Sequence, residues 1–240
     1  IANSFDVAKR SFAAVLVAFK GPKWKPNDYG ELLQLLYQLA RCRSKEGGII
    51  ELEKHINDPG TSDIFSKYPK IMKDKQMLAL IVDAFRMVTL NFEDADETGE
   101  IINRKLEAHQ DHLHAPIHAL NMVADGLPAI GIVAAVLGVI KTMSSVDKPP
   151  EILGVMIGGA LVGTFLGVFA AYCMIMPLAQ RIEAIEDRDA AFGHVIRDVI
   201  VAIIRGHKAD VCVEIGRGNI PPGIRPSFED MERQTRGAPA

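Results

Sequence analysis

The sequence ILGVMIGGALVGTFLGVFAAYCMIMPLAQ, residues 152–180, decides the fold because it contains no Asp, Glu, Lys or Arg. A helix needs about 20 predominantly apolar residues to cross the hydrocarbon core of a bilayer. A longer uncharged run is unusual in a soluble protein, whose helices keep a polar face toward water. The stretch therefore predicts a transmembrane helix over 152–180. It disfavours the alternative, a buried hairpin in a soluble domain.

A second apolar run precedes this helix. Residues 126–140 are also uncharged, and the run reaches the length of a span when it is extended to 115–143. The segment 144–151 between the two runs is rich in Ser and Pro, which is typical of a short turn. The two runs together predict a transmembrane hairpin.

Lys and Arg are distributed unevenly along the chain. Only Lys141 and Lys148 lie in the hairpin, and all the others lie in the flanks. Positive residues are enriched on the cytoplasmic side of membrane proteins, so the flanks are predicted to be cytoplasmic and the loop 144–151 periplasmic. Apolar residues recur at helical spacing in both flanks, for example over 71–90. The predicted fold class is therefore all-α: an integral membrane protein with a transmembrane helix hairpin, a cytoplasmic helical region over 1–114 and a cytoplasmic helical tail over 181–240.

Several function classes are disfavoured by composition and motifs. The net charge is −3, and no basic run interleaved with aromatic residues appears, so a nucleic-acid partner is not expected. Cys42, Cys173 and Cys212 are far apart, which predicts neither a disulfide framework nor a zinc site. The sequence contains no Walker A, G-x-S-x-G or H-E-x-x-H pattern. We therefore expect no enzyme activity, no cofactor and no metal.

Two weaker patterns point to metals without establishing a site. The run at 94–99 imitates the first half of a calcium loop, but its twelfth position is Lys105 rather than Glu. It is better interpreted as an acidic turn at a helix N-terminus. Four histidines lie close together in sequence, where a helix enters the membrane interface. They are interpreted as solvated or interfacial rather than metal-binding: His109, His112, His114 and His118.

Small and polar residues distinguish the spans from plain lipid anchors. Glycines recur four residues apart in 152–180, a spacing that lets helices approach closely. This spacing fits an oligomeric channel wall and ordinary helix packing equally well. Thr164 lies in mid-span, where a lone Thr commonly donates to the carbonyl four residues earlier, that of Ala160. No acidic residue lies at the centre of either span, so an ion carrier has to come from another chain.

The spans and the cytoplasmic flanks resemble the MotA family, the stator subunits of the bacterial flagellar motor. Motifs that carry the resemblance are LE at 52–53, DGLPA at 125–129, GIVAAVLG at 131–138, GTFLG at 163–167, AY at 171–172, PLA at 177–179 and RPSF at 225–228. Members of the family have four spans, and this sequence resembles them from just after the second span, so two further N-terminal spans are expected. Cys173 stands where the family usually has Gly.

The resemblance implies a function. Five MotA-like subunits would surround two MotB chains in the bacterial inner membrane, in contact with lipid, and an Asp of MotB would carry the ion. Thr164, Ala135 and Tyr172 would line the ion pathway, and Pro128 and Pro177 would couple ion passage to movement of the cytoplasmic part. Sodium-coupled relatives tend to carry Thr at the position of Ala135. Because a methyl group supplies no oxygen ligand, protons are the favoured ion.

The resemblance also implies a surface that contacts the rotor protein FliG. The acidic residue of that surface corresponds to Glu53, and the basic one corresponds to Lys45 or to nearby Arg43. The alternative is that these are ordinary solvated charges. Two other functions remain open: an envelope energiser of the ExbB/TolQ type, and a membrane scaffold that does not conduct. The RPSF tail and the region around Glu53 favour the flagellar function.

Overall fold

The computed structural model describes residues 5–44, 47–90 and 94–236. Regular secondary structure in these residues is helical throughout, which confirms the all-α class. Two compact units are formed, one from residues up to Gly21 together with Asp111–Glu186 and the other from Pro22–Gln110 together with residues from Asp187 onward. The α-helices of the described residues are α1 (Phe5–Lys20), α2 (Pro26–Arg43), α3 (Gly48–Asn57), α4 (Pro69–Lys73), α5 (Lys75–Thr89), α6 (Ala95–Met143), α7 (Pro150–Phe169), α8 (Met176–Ile204), α9 (Ala209–Gly218) and α10 (Phe228–Arg236), with a π-helical turn at Ala170–Ile175 and 3-10 turns at Phe65–Lys67 and Pro222–Ile224.

The first unit contains the hairpin. Helix α6 runs without interruption from Ala95 to Met143, so the predicted span 115–143 is the C-terminal part of a longer helix. Helix α7 starts at Pro150, with Pro149 as its N-cap residue. Proline suits the first helical position because the N–H that it lacks has no partner there. The most apolar windows of α6 and of the continuous helix from Pro150 to Ile204 are only 11% and 6% buried. Most of their apolar surface is therefore open to lipid or to other chains.

Helix α1 packs against the base of the hairpin within this unit. A small apolar cluster joins it to the helices of the hairpin, and Arg181 donates from Nε to the backbone carbonyl of Ala18 at 3.1 Å. The contact places α1 beside the point where the two spans end. Its buried members are Ala18, Ile117, Ala179 and Ile182.

Pro116 leaves one backbone carbonyl of α6 without its helical hydrogen bond, and a side chain of α1 donates to that carbonyl instead. A proline inside a helix cannot donate to the carbonyl four residues earlier, here that of His112. Arg10 of α1 donates from Nη2 to this carbonyl. Ser11 also lies 3.4 Å from the carbonyl oxygen of Pro116. The sequence reasoning did not single out this contact, which ties α1 to α6.

The second unit has a conventional buried core. Trp24 stacks on Phe192 with ring centroids 3.9 Å apart and an interplanar angle of 7°. Asp189, also on α8, accepts hydrogen bonds from the backbone N–H groups of Lys23 and Trp24 at 3.0 and 3.1 Å. The chain before α2 is thus attached to α8. Other fully buried large residues of this core include Tyr29, Leu32, Leu36, Leu39, Phe65 and Phe85.

The apolar pattern over 71–90 covers two helices rather than one. Asp74 interrupts it, because its carboxylate accepts from the backbone N–H groups of Gln76 and Met77 and so caps α5. The Lys23 ammonium also donates to Asp74. Burial alone would raise the pKa of this carboxyl, but these hydrogen bonds hold it below its ordinary value. A capping aspartate starts a new helix even where the apolar spacing continues.

Candidate functional site

Thr164 forms a hydrogen bond across the hairpin. Its hydroxyl donates to the backbone carbonyl of Gly131 at 3.1 Å. The intrahelical bond to Ala160 that a lone Thr favours is therefore not the one formed, since a hydroxyl has a single proton to donate. The side chain is half-buried. A polar group at this depth connects the two spans at mid-height.

Glycine makes this contact possible. A Cβ atom built on Gly131 would lie 2.9 Å from the carbonyl oxygen of Gly163, and one on Gly167 would lie 2.7 Å from that of Leu127. A Cβ on Gly138 would overlap the side chain of Ala160. The two backbones therefore approach so closely that a methyl group does not fit between them. These small residues serve packing within the hairpin.

A second set of glycines faces away from the hairpin. A Cβ built on Gly154, Gly158 or Gly159 would meet no atom of the described chain within 4 Å. The packing interpretation of the glycine spacing thus applies to the face of α7 that lies on α6. The other face, with Gly154, Gly158 and Gly159, is exposed within the described chain.

The other predicted pathway residues, Ala135 and Tyr172, and the coupling proline Pro128 lie at different levels along the hairpin from Thr164. Ala135 is half-buried, one helical turn or about 6 Å from Gly131 in the direction of the loop. Pro128 is half-buried about one turn on the opposite side. Helix α6 continues as an α-helix through it. Tyr172 is 52% exposed and lies about 12 Å along the helix from Thr164, so the structure does not bring it to the Gly131 level.

Pro177 has a visible effect on the second span. The helix forms a π turn over Ala170–Ile175, and the N–H of Met176 donates to the carbonyl of Ala171, five residues earlier. A proline here has no N–H for the carbonyl of Cys173, and its ring would crowd that carbonyl in an α-helix. An extra residue in the turn relieves the crowding. The π turn therefore lies within the first unit, near the C-terminal end of the second span.

The predicted rotor-facing residues lie around the start of α3. Glu53 is exposed on that helix. Arg43 is half-buried, and its guanidinium donates from Nη1 to the carbonyl of Ile203 at 2.8 Å. It therefore attaches the end of α2 to the last turn of α8. Lys45 lies outside the described residues.

The weak metal patterns have local structural roles. Asp94 accepts from the backbone N–H groups of Asp96 and Glu97, both at 2.9 Å, which confirms the interpretation of this run as a helix N-terminus. Over the described ranges, potential metal ligands converge in one group of three, Cys42, Glu51 and His55. The sequence reasoning missed this group. The signal that was available is the spacing of four residues that places Glu51 and His55 on one face of a helix.

Two protein-family models match parts of this sequence. A family model described as the MotA/TolQ/ExbB proton channel family matches residues 73–191, and a second, described as Motility protein A N-terminal, matches residues 1–47. The first of these matches includes both predicted spans, 115–143 and 152–180. The second includes α1 and α2.

Relatives match over nearly the whole chain. Motility protein A of Salmonella typhimurium is 34% identical over 236 residues, which cover 98% of this chain and 80% of that protein. Motility protein A of Escherichia coli matches with the same identity and coverage. Chemotaxis protein LafT of Vibrio parahaemolyticus is 31% identical over 233 residues, which cover 97% of this chain and 81% of that protein.

Solved structures share the fold. A chain of the C. jejuni MotAB structure superposes with a TM-score of 0.71 at 19% identity, covering 95% of this chain and 80% of that chain. A chain of the flagellar MotAB stator complex from Bacillus subtilis superposes with a TM-score of 0.63 at 22% identity, covering 89% and 75%.

Proposed function

The chain belongs to the motility protein A (MotA) family, and from this membership we propose how its hairpin conducts ions. It is a stator subunit of the flagellar motor and forms a proton channel with MotB. The ion-binding carboxylate belongs to MotB. This assignment agrees with the sequence, in which residues 126–140 and 152–180 contain no Asp or Glu. The observation that carries the proposal is the hydrogen bond from Thr164 to Gly131.

Thr164 is the residue of this chain that meets the proton carrier. Its hydroxyl proton is donated to Gly131 at 3.1 Å, so its oxygen keeps lone pairs that can accept a hydrogen bond from a protonated carboxyl. When the carboxyl loses its proton, the hydroxyl can rotate and donate to the carboxylate instead. A single hydroxyl thus serves both states of the carrier.

Ala135 favours protons over sodium ions as the conducted ion. The methyl group of Ala135 lies about one turn from the Gly131 level and offers no oxygen to a sodium ion, which prefers oxygen ligands. A proton needs only a chain of hydrogen-bonding groups. Tyr172 is proposed for the cytoplasmic end of the same path, because it carries a hydroxyl and lies exposed in the π turn.

The assembly surrounds MotB with copies of this chain. Five subunits around two MotB chains in the inner membrane would cover the faces that carry Gly154, Gly158 and Gly159. These glycines are open to a partner, and lipid would cover the remaining apolar surface. The low burial of both spans within the chain supports this arrangement.

Torque leaves through the second unit. We assign the contact with FliG to Glu53, with Lys45 or Arg43 as its basic counterpart. Pro128 and Pro177 are the positions that couple ion passage to this unit. One proton moved through 100 mV releases about 2.3 kcal/mol, so a few protons supply enough free energy for a conformational step. Charge contacts that are weak one by one suit repeated, transient engagement.

The test compares Thr164→Val with Thr164→Ser in cells that lack their own stator and carry the complete gene with its MotB partner. Valine matches threonine in shape and removes the hydroxyl, whereas serine keeps it. We expect Thr164→Val to lower proton flux at least about tenfold, the effect of losing roughly 1.4 kcal/mol, and to abolish swimming. Thr164→Ser should keep most of the flux.

Thr142→Val is the matched control. Thr142 also lies in the hairpin, but its hydroxyl donates to Gly138 four residues earlier in the same helix, at 2.9 Å. Full flux in Thr164→Val, with both proteins inserted, would contradict the pathway. Wild-type flux without rotation would indicate an envelope energiser of the ExbB/TolQ type, and absence of flux in the wild type would indicate a scaffold.

A further inference from the structure

Three side chains with metal-binding atoms meet where α2 ends and α3 begins. Cys42 belongs to the last turn of α2, and Glu51 and His55 lie one turn apart on α3. The candidate ligand atoms, the sulfur, a carboxylate oxygen and a ring nitrogen, all lie within 4.8 Å of one another. The group is separate from the hairpin and from every residue assigned to proton conduction.

The turn between the helices imposes this arrangement. Gly47 has φ +73°, a left-handed conformation that favours glycine. A Cβ on Gly48 would overlap the backbone carbonyl of Cys42. Only glycine at this position lets α3 start directly against the last turn of α2. The same close approach brings α3 side chains to the thiol of Cys42.

The donor set suits zinc. Zn²⁺ in proteins takes thiolate, imidazole and carboxylate ligands at about 2.0 to 2.3 Å, usually in tetrahedral geometry. The donor atoms of such a site lie roughly 3.3 to 3.8 Å apart, so the separations seen here require only small side-chain rotations. Hard ions such as Mg²⁺ and Ca²⁺ avoid thiolate, which disfavours them. Three protein ligands leave the fourth position for water.

The surroundings orient His55 as they do in known metal sites. Its Nδ1 lies 2.9 Å from the hydroxyl oxygen of Ser62 and 3.6 Å from the carboxylate of Asp63. Ser62 is buried and accepts the backbone N–H of Phe65. A histidine ligand almost always uses its second nitrogen in such a contact. With Nδ1 engaged in this way, Nε2 is the nitrogen left to bind a metal.

Burial protects the sulfur while leaving an entry path. Cys42 is only 6% exposed, and the side chain of His55 is 16% exposed, whereas Glu51 is exposed. A metal ion can therefore enter from the side of Glu51. The thiol of Cys42 lies 3.9 Å from the carbonyl of Gly48. On metal binding its proton goes to solvent, and the thiolate becomes the ligand.

We propose that Cys42, Glu51 and His55 bind one Zn²⁺ ion and fasten the start of α3 to the end of α2. Arg43 follows Cys42 directly, and Glu53 lies on α3 between the other two ligands. The ion would therefore fix the segment that carries the rotor-facing charges. The consequence for the rotor rests on the proposed function, but zinc binding itself does not.

The test is a zinc titration of the complete, untagged protein purified with MotB in detergent, after metal removal with a chelator. Competition against a chromophoric zinc indicator should show one saturable site per chain. Co²⁺ in place of Zn²⁺ should give a thiolate-to-cobalt charge-transfer band. Cys42→Ser, Glu51→Gln and His55→Gln should each weaken binding at least about tenfold, and Cys42→Ser should remove the band.

Matched variants separate this site from other thiols and histidines. Cys212→Ser replaces another buried cysteine, whose thiol pKa burial raises to about 11, and His118→Gln replaces an exposed histidine of the interfacial group. Neither should change the affinity. Glu51→Gln alters an exposed side chain, so it keeps the test valid if Cys42→Ser does not fold.

Absence of saturable binding, or binding that survives both Cys42→Ser and His55→Gln, would overturn the proposal. So would a cobalt complex without a thiolate band. The titration needs neither ion-motive force nor a rotor. Its failure is therefore distinct from a failure of proton conduction in the Thr164 variants.

Discussion

Gly167 lies where the two helices of the hairpin approach too closely for a methyl group to fit between them. We expect Gly167→Ala to lower the thermal stability of the purified complex, because its Cβ would lie 2.7 Å from the carbonyl oxygen of Leu127. Forcing a methyl group into a packed contact usually costs about 1 to 3 kcal/mol. The measurement is the thermal unfolding midpoint in detergent.

Gly126→Ala is the control for this change. Gly126 lies in the same hairpin, but a Cβ built there meets no atom within 4 Å. Alanine favours a helix over glycine by up to about 1 kcal/mol, so this variant should unfold at the same temperature or slightly higher. Equal losses in both variants would show that the close approach at Gly167 does not carry the stability of the hairpin.

At the residue scale, sequence patterns identified side chains more readily than their partners. Thr164 stands out as the polar residue in mid-span, but its bond to Gly131 depends on the register of two helices, which no local pattern encodes. The group of Cys42 and His55 was missed for the same reason. These residues lie on two consecutive helices, and the glycine turn between the helices fixes their proximity.

Pro177 sets the geometry of the second span at the scale of the element. We expect Pro177→Ala to convert the π turn over Ala170–Ile175 into regular α-helix, because the alanine N–H can donate to Cys173 again. The change from a π turn to an α turn would rotate the following part of α8 by about 100°, the angle of one residue, relative to α7. The variant should assemble with MotB but lose swimming.

Pro150→Ala provides the comparison for Pro177→Ala. Pro150 occupies the first position of α7, where no helical N–H bond is required, so swimming should be retained. Spectroscopic distances between labels placed on α7 and α8 measure the rotation directly. Unchanged distances in Pro177→Ala would show that the proline does not maintain the π turn.

The elements were predictable as far as local chemistry determines them. The uncharged run at 152–180 lies within a continuous helix, Pro150–Ile204, that is long and apolar enough to cross a membrane, as its length and hydropathy predict. Helix ends were less predictable. Asp74 divides an apolar pattern that runs on past it, and α6 continues through Pro116, where Arg10 from another helix takes up the freed carbonyl. Such ends depend on contacts that are distant in sequence.

At the scale of the whole molecule, the second unit joins residues before and after the hairpin in one core. Trp24 and Phe192 stack although the entire hairpin separates them in sequence. The sequence pattern showed that both flanks form helices but not that they share a core, because hydrophobic spacing identifies a buried face without its partner. Trp24 is the single tryptophan of the sequence, so its fluorescence reports on this core.

His194 makes the stability of this core depend on pH. Burial, together with the nearby charge of Arg197, lowers the pKa of His194 against the opposing effect of Asp198 and Glu107. Its Nδ1 is buried and has no hydrogen-bond partner among the residues that the structure describes. The unfolded chain therefore binds a proton more readily than the folded chain. The free energy of unfolding should be highest above the ordinary histidine pKa of about 6.5 and should fall as the pH drops from there toward the lower folded pKa.

We expect His194→Gln to flatten this decline, because glutamine cannot take up the proton. The measurement is chemical unfolding of the purified chain in detergent, followed by Trp24 fluorescence between about pH 5 and pH 7.5. His207→Gln is the matched control, since His207 is exposed and its replacement should leave the slope unchanged. A slope in His194→Gln as steep as in the wild type would assign the pH dependence to other groups. The core would then tolerate a proton at His194 although its Nδ1 is buried.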